Sequence, residues 1–217
     1  MKPCRFVIVA ATAAALLYAI IFAGSVGSFV QNFPKDGGFG QGVNSEGTYG
    51  NGTFNIASVV EAADTGPFFH NNSVNTLEEV VQFYSSPAFN GPAVPPSARF
   101  DFTPAQVEQL ADFMRAINAL QNIEVARREL REIMANRSDA PREQGNRLRM
   151  AIEESGDSID VLRQGNVLPA AVTHLVAARN YVVQAERTTN ALQRRVLIPL
   201  AIAKLVQARN AIATGAP

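Results

Sequence analysis

The chain has 217 residues, with 19 Lys or Arg balanced by 19 Asp or Glu. That length holds one modest domain or two small ones, and a balanced charge gives no reason to expect a nucleic-acid partner. One cysteine (Cys4) and two histidines (His70 and His174) exclude an intrachain disulfide framework and a Cys/His zinc cluster. The charge is unevenly spread. Residues 31–121 carry three basic and nine acidic residues (net −6), whereas 164–217 carry six basic and one acidic (net +5).

Lys2 and Arg5 precede residues 6–30, which hold no charged side chain. The apolar block at 6–23 is slightly longer than a usual signal h-region and slightly short of a comfortable membrane span. Ala23-Gly24-Ser25 suits signal peptidase, and residues 25–30 suit the end of a membrane helix, so 1–30 is a signal peptide or a membrane anchor. Positive charge before the block and acidic residues after it predict an N-terminus held inside and an exported remainder. The expected place is the periplasm, either free or anchored at the inner membrane.

Residues 33–52 contain seven glycines but no phosphate-cradling pattern, and read as a flexible linker. In FNIASVVEAA (54–63) Phe54, Ile56 and Ser58 alternate before an apolar pair, as in a short extended segment or the start of a helix.

Residues 65–84, TGPFFHNNSVNTLEEVVQFY, are the stretch around which the rest of the chain is organised. Pro67 fixes φ, Phe68 and Phe69 are apolar, and Asn71-Asn72 tolerate the left-handed region a tight turn needs. Thr76 with Glu79 three residues on is a capping box, and Leu77, Val80, Val81 and Tyr84 fall on one face of the helix it opens.

This stretch resembles the C-terminal haem domain of bacterial di-haem cytochrome c peroxidases and their MauG-like relatives. There a similar run, L-T-A-P-Y-[FM]-H-[DN]-G-S-x-x-T-L-E-E-V-V-x-F-Y, lies against the haem. GTYGNGTFNIAS (47–58) looks like the family's Gly-rich lead-in, and TPAQVEQLADFMRAIN (103–118) like its closing helix. The resemblance covers residues 37–120. It implies a small cytochrome-c-like helical segment and places His70 at a haem, as an iron ligand or a hydrogen-bonding partner. It also implies periplasmic peroxidase or electron-transfer chemistry.

The departures from the family are specific. No Cys-x-x-Cys-His is present, so haem is not attached covalently through this chain by that motif. Phe69 stands where some relatives carry an axial Met, Val59-Val60-Glu61 replaces Leu-Arg-Asn, and Asn72 replaces the usual Gly. The residues themselves offer another account of His70, a turn histidine bonding backbone within 67–73.

PAFNGPAVPP (87–96) holds four prolines and reads as an extended spacer, followed by Phe100 and Phe102 as apolar plugs. Thr103, Pro104 and Gln106 form a second capping box, and Val107, Leu110, Phe113, Met114, Ile117 and Leu120 predict an amphipathic helix. From Ile123 the chain turns Arg/Glu-rich with a solvated charged face. Residues 138–144 read as a break, and 147–161 as a further helix that Gly156 weakens.

The last fifty residues contain an internal repeat with an offset of 30. Val167-Leu168-Pro169-x-Ala171-Val172-x-x-Leu175-Val176-x-Ala178-Arg179-Asn180 recurs as Leu197-Ile198-Pro199-x-Ala201-Ile202-x-x-Leu205-Val206-x-Ala208-Arg209-Asn210. Each proline sits where the first residue of a helix belongs, predicting a hairpin joined near 188–190.

His174 corresponds to Lys204, which places it on an exposed helix face rather than at a metal. Glu79 is explained by capping and Glu78 by a helix N-terminus. Arg127-Arg128 and Arg194-Arg195 read as solvated dibasic spots, with a basic hairpin near anionic lipid as the alternative.

The expected architecture is mainly α. It comprises a signal or anchor (1–30), a cytochrome c peroxidase-like segment (31–121) and a helical extension with the 30-residue repeat (122–217). Two functions remain open. One is an exported redox component, or a truncated remnant, acting with a haem-bearing protein partner and not active alone. The other is a non-enzymatic membrane-anchored structural or interaction protein on a helical scaffold.

Overall fold

Each helix among the described residues starts where a proline or a capping side chain suits its first turn. The structure is a computed structural model that describes residues 60–69, 72–87, 89–92, 96–136 and 140–215. Expectations for 1–59, the signal or anchor and the Gly-rich linker among them, fall outside these residues. Five α-helices account for most of the described chain: α1 (Leu77–Tyr84), α2 (Pro104–Ala135), α3 (Pro141–Gln164), α4 (Pro169–Arg187) and α5 (Ala191–Thr214). The fold is mainly α. Among the described residues there is no strand, only an isolated antiparallel bridge between Phe68 and Val74.

The chain divides into two compact units, Met1–Met114 and Arg115–Pro217, with the division inside α2. In the first unit, Thr76 caps α1 as expected. Its side chain accepts from Glu79 N, and the Glu79 carboxylate returns a bond to Thr76 N at 3.1 Å. Leu77 and Val81 are buried, so the predicted apolar face is the inner one. After α1 the chain turns instead of extending: Asn90 N donates to Ser86 O at 2.8 Å. A short 3₁₀ turn occupies Pro96–Ala98. The extended spacer read from the prolines is therefore corrected where the chain is described. Proline fixes φ near −65°, which serves a turn as well as an extended segment.

The second capping box also forms. Thr103 N donates to Gln106 Oε1 at 2.9 Å, and Gln106 N donates to Thr103 Oγ1 at 3.4 Å. The helix it opens runs without interruption through the Arg/Glu-rich stretch to Ala135. The break expected at 138–144 is shorter, because α3 starts at Pro141, the favoured first helical position. Gly156 does not interrupt α3. It lies where Arg179 crosses from α4, whose Nε donates to Ile152 O at 3.3 Å.

In the second unit, consecutive helices run antiparallel. Ser158 Oγ on α3 donates to Ala119 O on α2 at 3.4 Å, and Arg147 pairs with Glu129 of α2 at 2.8 Å. Arg149 of α3 faces Glu186 of α4 at 3.9 Å, and Arg209 of α5 closes back on Glu124 of α2 at 3.0 Å. The result is an up-down four-helix bundle. Its core alternates small and large side chains at coiled-coil spacing. Ala171, Ala178 and Ala185 on α4 are fully buried, with Leu175 and Val182 between them. Ala201 and Ala208 on α5 are interleaved with Ile198, Leu205 and Ile212 in the same way. Burial of such Leu, Ile and Val side chains stabilises by roughly 1.5–3 kcal/mol each, against roughly 0–1 kcal/mol for an exposed ion pair such as Arg209 with Glu124. The core, not the ion pairs, holds the bundle.

The repeat is realised asymmetrically. Pro169 opens α4 as expected, but Pro199 lies inside α5 instead of at its start. The preceding residues explain this correction. In the first copy Gly165 and Asn166 end α3: Asn166 takes a left-handed φ of 51°, and Val167 N donates to Leu162 O at 3.0 Å in a Schellman stop. The second copy has Arg195 and Val196 at those positions, which favour no such stop. Asn190 instead caps α5 eight residues earlier in register, accepting from Leu192 N and Gln193 N at 2.9 and 3.3 Å. The hairpin loop at 188–190 is where the sequence placed it. Arg194 secures it, donating to Ala185 O and Thr188 O at 2.9 and 2.8 Å.

A proline inside a helix removes a hydrogen bond and costs about 3 kcal/mol, part of which is offset by a stiffer unfolded chain. Pro199→Ala should therefore raise the unfolding free energy by about 2 kcal/mol, whereas Pro169→Ala should leave it level or lower it slightly. Urea denaturation of the two variants checks this. A loss of stability in Pro199→Ala would contradict the continuous α5.

Candidate functional site

Two regions carry groups that chemistry or recognition can use, and each lies within one unit. The first surrounds the segment that resembles the haem-binding run. Phe68 N donates to Val74 O at 2.6 Å, and Asn72 N to Phe69 O at 3.1 Å. Phe69 and Asn72 take left-handed φ angles of 62° and 55°. That conformation suits Asn and is uncommon for a bulky residue such as Phe. The peptide between Gly66 and Pro67 is cis. His70, the expected haem contact or iron ligand, lies outside the described residues.

The aromatic side chains of this unit stack on one another. The Phe69 and Phe83 ring centroids are 4.8 Å apart, Tyr84 and Phe89 4.9 Å, and Phe100 and Phe102 5.5 Å. Asn90 clamps Phe100 by its backbone, donating to its carbonyl at 2.6 Å and accepting from its N–H at 3.1 Å. Phe102 N donates to Ser85 Oγ at 2.9 Å. Burial pushes the Tyr84 phenol above its ordinary pKa. Tilted, edge-to-face and stacked contacts of this kind add roughly 0.5–1.5 kcal/mol each beyond area burial. The cluster reads as the packing of a small apolar unit.

The donor set does not fit a c-type haem. The sequence has no Cys-x-x-Cys-His, Phe69 cannot ligate iron, and the described residues contain no group of three or more His, Cys, Asp and Glu able to hold a metal.

The other residues singled out by sequence have ordinary places. His174 on α4 and Lys204 on α5 are both half-buried, so the two positions are equivalent but the face expected to be exposed is partly covered. Arg127 pairs with Glu124, and Arg128 with Glu129. Arg194 is occupied by the hairpin loop, and Arg209 by Glu124. Arg195 is exposed.

The second region was missed in the sequence. Leu192, Val196 and Leu200 on α5 are 70%, 61% and 42% exposed. Their spacing of four puts them in one stripe on the outer face, opposite buried Ala201, Leu205 and Ala208. Pro199 and Ala203 are exposed beside them. A position-by-position comparison of the two repeat copies carries the signal. Buried positions match pairwise (Leu175 with Leu205, Ala178 with Ala208), while exposed Asn166 and Thr173 correspond to Val196 and Ala203.

By length and composition helix α5 could cross a membrane, its most apolar 18 residues having a mean hydropathy of 1.4. Its apolar content is divided between two faces, however. The inner face is committed to the bundle, and the outer face becomes polar after Ala203, at Gln207, Asn210 and Thr214. No family model, curated protein or solved structure matches the chain.

Glu79 supplies a test of the first region. Backbone N–H groups of Asn75 and Thr76 donate to its carboxylate at 3.0 and 3.1 Å and hold its pKa below the ordinary glutamate value. A depressed folded value means that the capping contribution is present above the unfolded pKa and lost as pH falls through the folded one. A carboxyl-carbon NMR titration should place the Glu79 midpoint below about 4.3, the value for an unperturbed glutamate. Helical shifts of α1 should decay through the same midpoint. A midpoint at or above the free value would contradict the capping box.

Proposed function

We propose that the chain is a non-enzymatic structural or interaction protein in which the four-helix bundle is a scaffold presenting the outer face of α5. The observation that carries this reading is the stripe of Leu192, Val196 and Leu200. Large apolar side chains at three consecutive outward turns lie outside the buried core and expose much of their apolar surface to water. Such a stripe on a helix whose inner face is already satisfied fits a surface that meets something else. The N-terminal apolar block supports a membrane-anchored, exported form of the same protein.

A second reading is the exported cytochrome c peroxidase-like component that works with a haem-bearing partner. It rests on residues 65–84, where the capping box and the left-handed turn residues give a defined local structure to the run that carries the resemblance. In that reading His70 meets a haem held without the usual attachment motif, or one held by the partner.

A visible absorption spectrum tests whether the isolated chain itself holds a haem. The protein is purified from a host with c-type haem maturation and recorded oxidised and then dithionite-reduced. The scaffold reading expects a folded helical protein without a Soret band. It also expects the Leu192→Gln/Val196→Gln/Leu200→Gln variant to keep its helicity and nearly all of its melting temperature, because none of the three belongs to the buried core. A Soret band that disappears in His70→Ala would overturn the scaffold reading and establish haem chemistry in this chain.

A further inference from the structure

We infer that the outer face of α5 docks on an anionic lipid bilayer surface, with Leu192, Val196 and Leu200 entering the headgroup boundary and Arg195 facing the lipid phosphates. This rests on the scaffold reading and names its partner.

The stripe is short. From Leu192 to Ala203 the helix rises about 17 Å at 1.5 Å per residue, roughly half of the 30 Å hydrocarbon core. The outward face is therefore too short to span a bilayer. A helix lying in the interface plane needs only an apolar face that sinks about 5–10 Å.

The size of the stripe also weighs against a protein partner. Stable protein interfaces bury roughly 800 Å² on each side, more than one half-helix stripe about 10 Å wide offers. An interfacial helix works by partial insertion plus electrostatic attraction, and has no such threshold.

Charge points the same way. Helix α5 contains Arg194, Arg195, Lys204 and Arg209 and no acidic residue. Arg194 is spent on the hairpin loop and Arg209 on Glu124, but Arg195 is exposed at the edge of the stripe and makes no ion pair among the described residues. Pairing with a second copy of α5 would bring these cations together with no anion on either helix. An anionic surface answers them. The N-terminal apolar block, as signal or anchor, brings the chain to a bilayer in the first place.

The chain contains no tryptophan, so a single introduced one reports its own surroundings. The full chain carrying Val196→Trp is reconstituted into phosphatidylcholine vesicles with and without phosphatidylglycerol, some containing bromine-labelled acyl chains. Thr173→Trp, on the equivalent exposed face of α4, serves as the control. Circular dichroism confirms folding of each, and Leu192→Trp replaces Val196→Trp if that variant fails to fold.

The expected result is a blue-shifted Val196→Trp emission, quenched several-fold more by the brominated lipid than that of Thr173→Trp, in the phosphatidylglycerol vesicles. Adding Arg195→Gln should lower the docking equilibrium about fivefold, the effect of one basic residue near an anionic surface. Three results would overturn the proposal. They are equal quenching of the two tryptophans, quenching that ignores both phosphatidylglycerol and Arg195, and a blue shift that tracks protein concentration instead of lipid, which would mark a second copy as the occupant. Failure of the scaffold reading itself would show separately, as a haem absorption band before any lipid is added.

Discussion

The bundle depends on small side chains returning every seven residues along its helices. Ala119 and Ala126, Ala151 and Ser158, Ala171 and Ala178, Ala201 and Ala208 are all fully buried, one such pair on each of the four helices. A methyl or hydroxymethyl at the contact lets two backbones approach toward the short end of the usual 8–10 Å range. The large side chains one step away, such as Ile123, Leu162, Leu175 and Leu205, then fill the spaces on either side. Each helix thereby has one permitted inner face. The polar groups caught inside obey the same geometry: Ser155 and Ser158 donate back to carbonyls one turn earlier, at 2.6 and 2.9 Å.

That constraint makes the outer face of α5 informative. Because the inner face is set by Ala201, Leu205, Ala208 and Ile212, the exposed apolar surface of Leu192, Val196 and Leu200 lies outside the core that this face builds. Exposed apolar residues scattered singly need no explanation, but three aligned on successive turns do. The first unit solves its packing differently. There aromatic rings pack around Tyr84 and Phe89, and the Asn90 and Ser85 side chains satisfy backbone groups of Phe100 and Phe102, which lie outside the helices.

Much of this was legible in the sequence, and the failures have physical causes. The capping boxes at Thr76 and Thr103 were readable because they are local, needing only a hydroxyl and a carboxylate or amide three residues apart. The hairpin was readable because the repeat marks it twice. Pro199 misled because a proline suits a helix start without requiring one. The deciding residues were the two before the repeat, Gly165 and Asn166 in one copy and Arg195 and Val196 in the other. The seven-residue alanine spacing was hidden because alanine favours helix at any position, and exposed Ala191 and Ala203 look no different from buried Ala201 and Ala208. The stripe on α5 stayed invisible for the same reason. It needed the inner face to be known before the outer one could be recognised.

The central claim is that α5 has a bundle face and a free face, and a matched pair of substitutions tests it most directly. Ala208→Leu and Ala203→Leu add the same side chain to the same helix, five residues apart. Overpacking a close helix contact costs roughly 1–3 kcal/mol, whereas an exposed alanine tolerates leucine almost without cost. Urea denaturation should find Ala208→Leu destabilised by about that amount and Ala203→Leu unchanged. Equal effects at the two positions, or a larger loss at Ala203, would mean that α5 does not pack as described, and the free face would lose its basis.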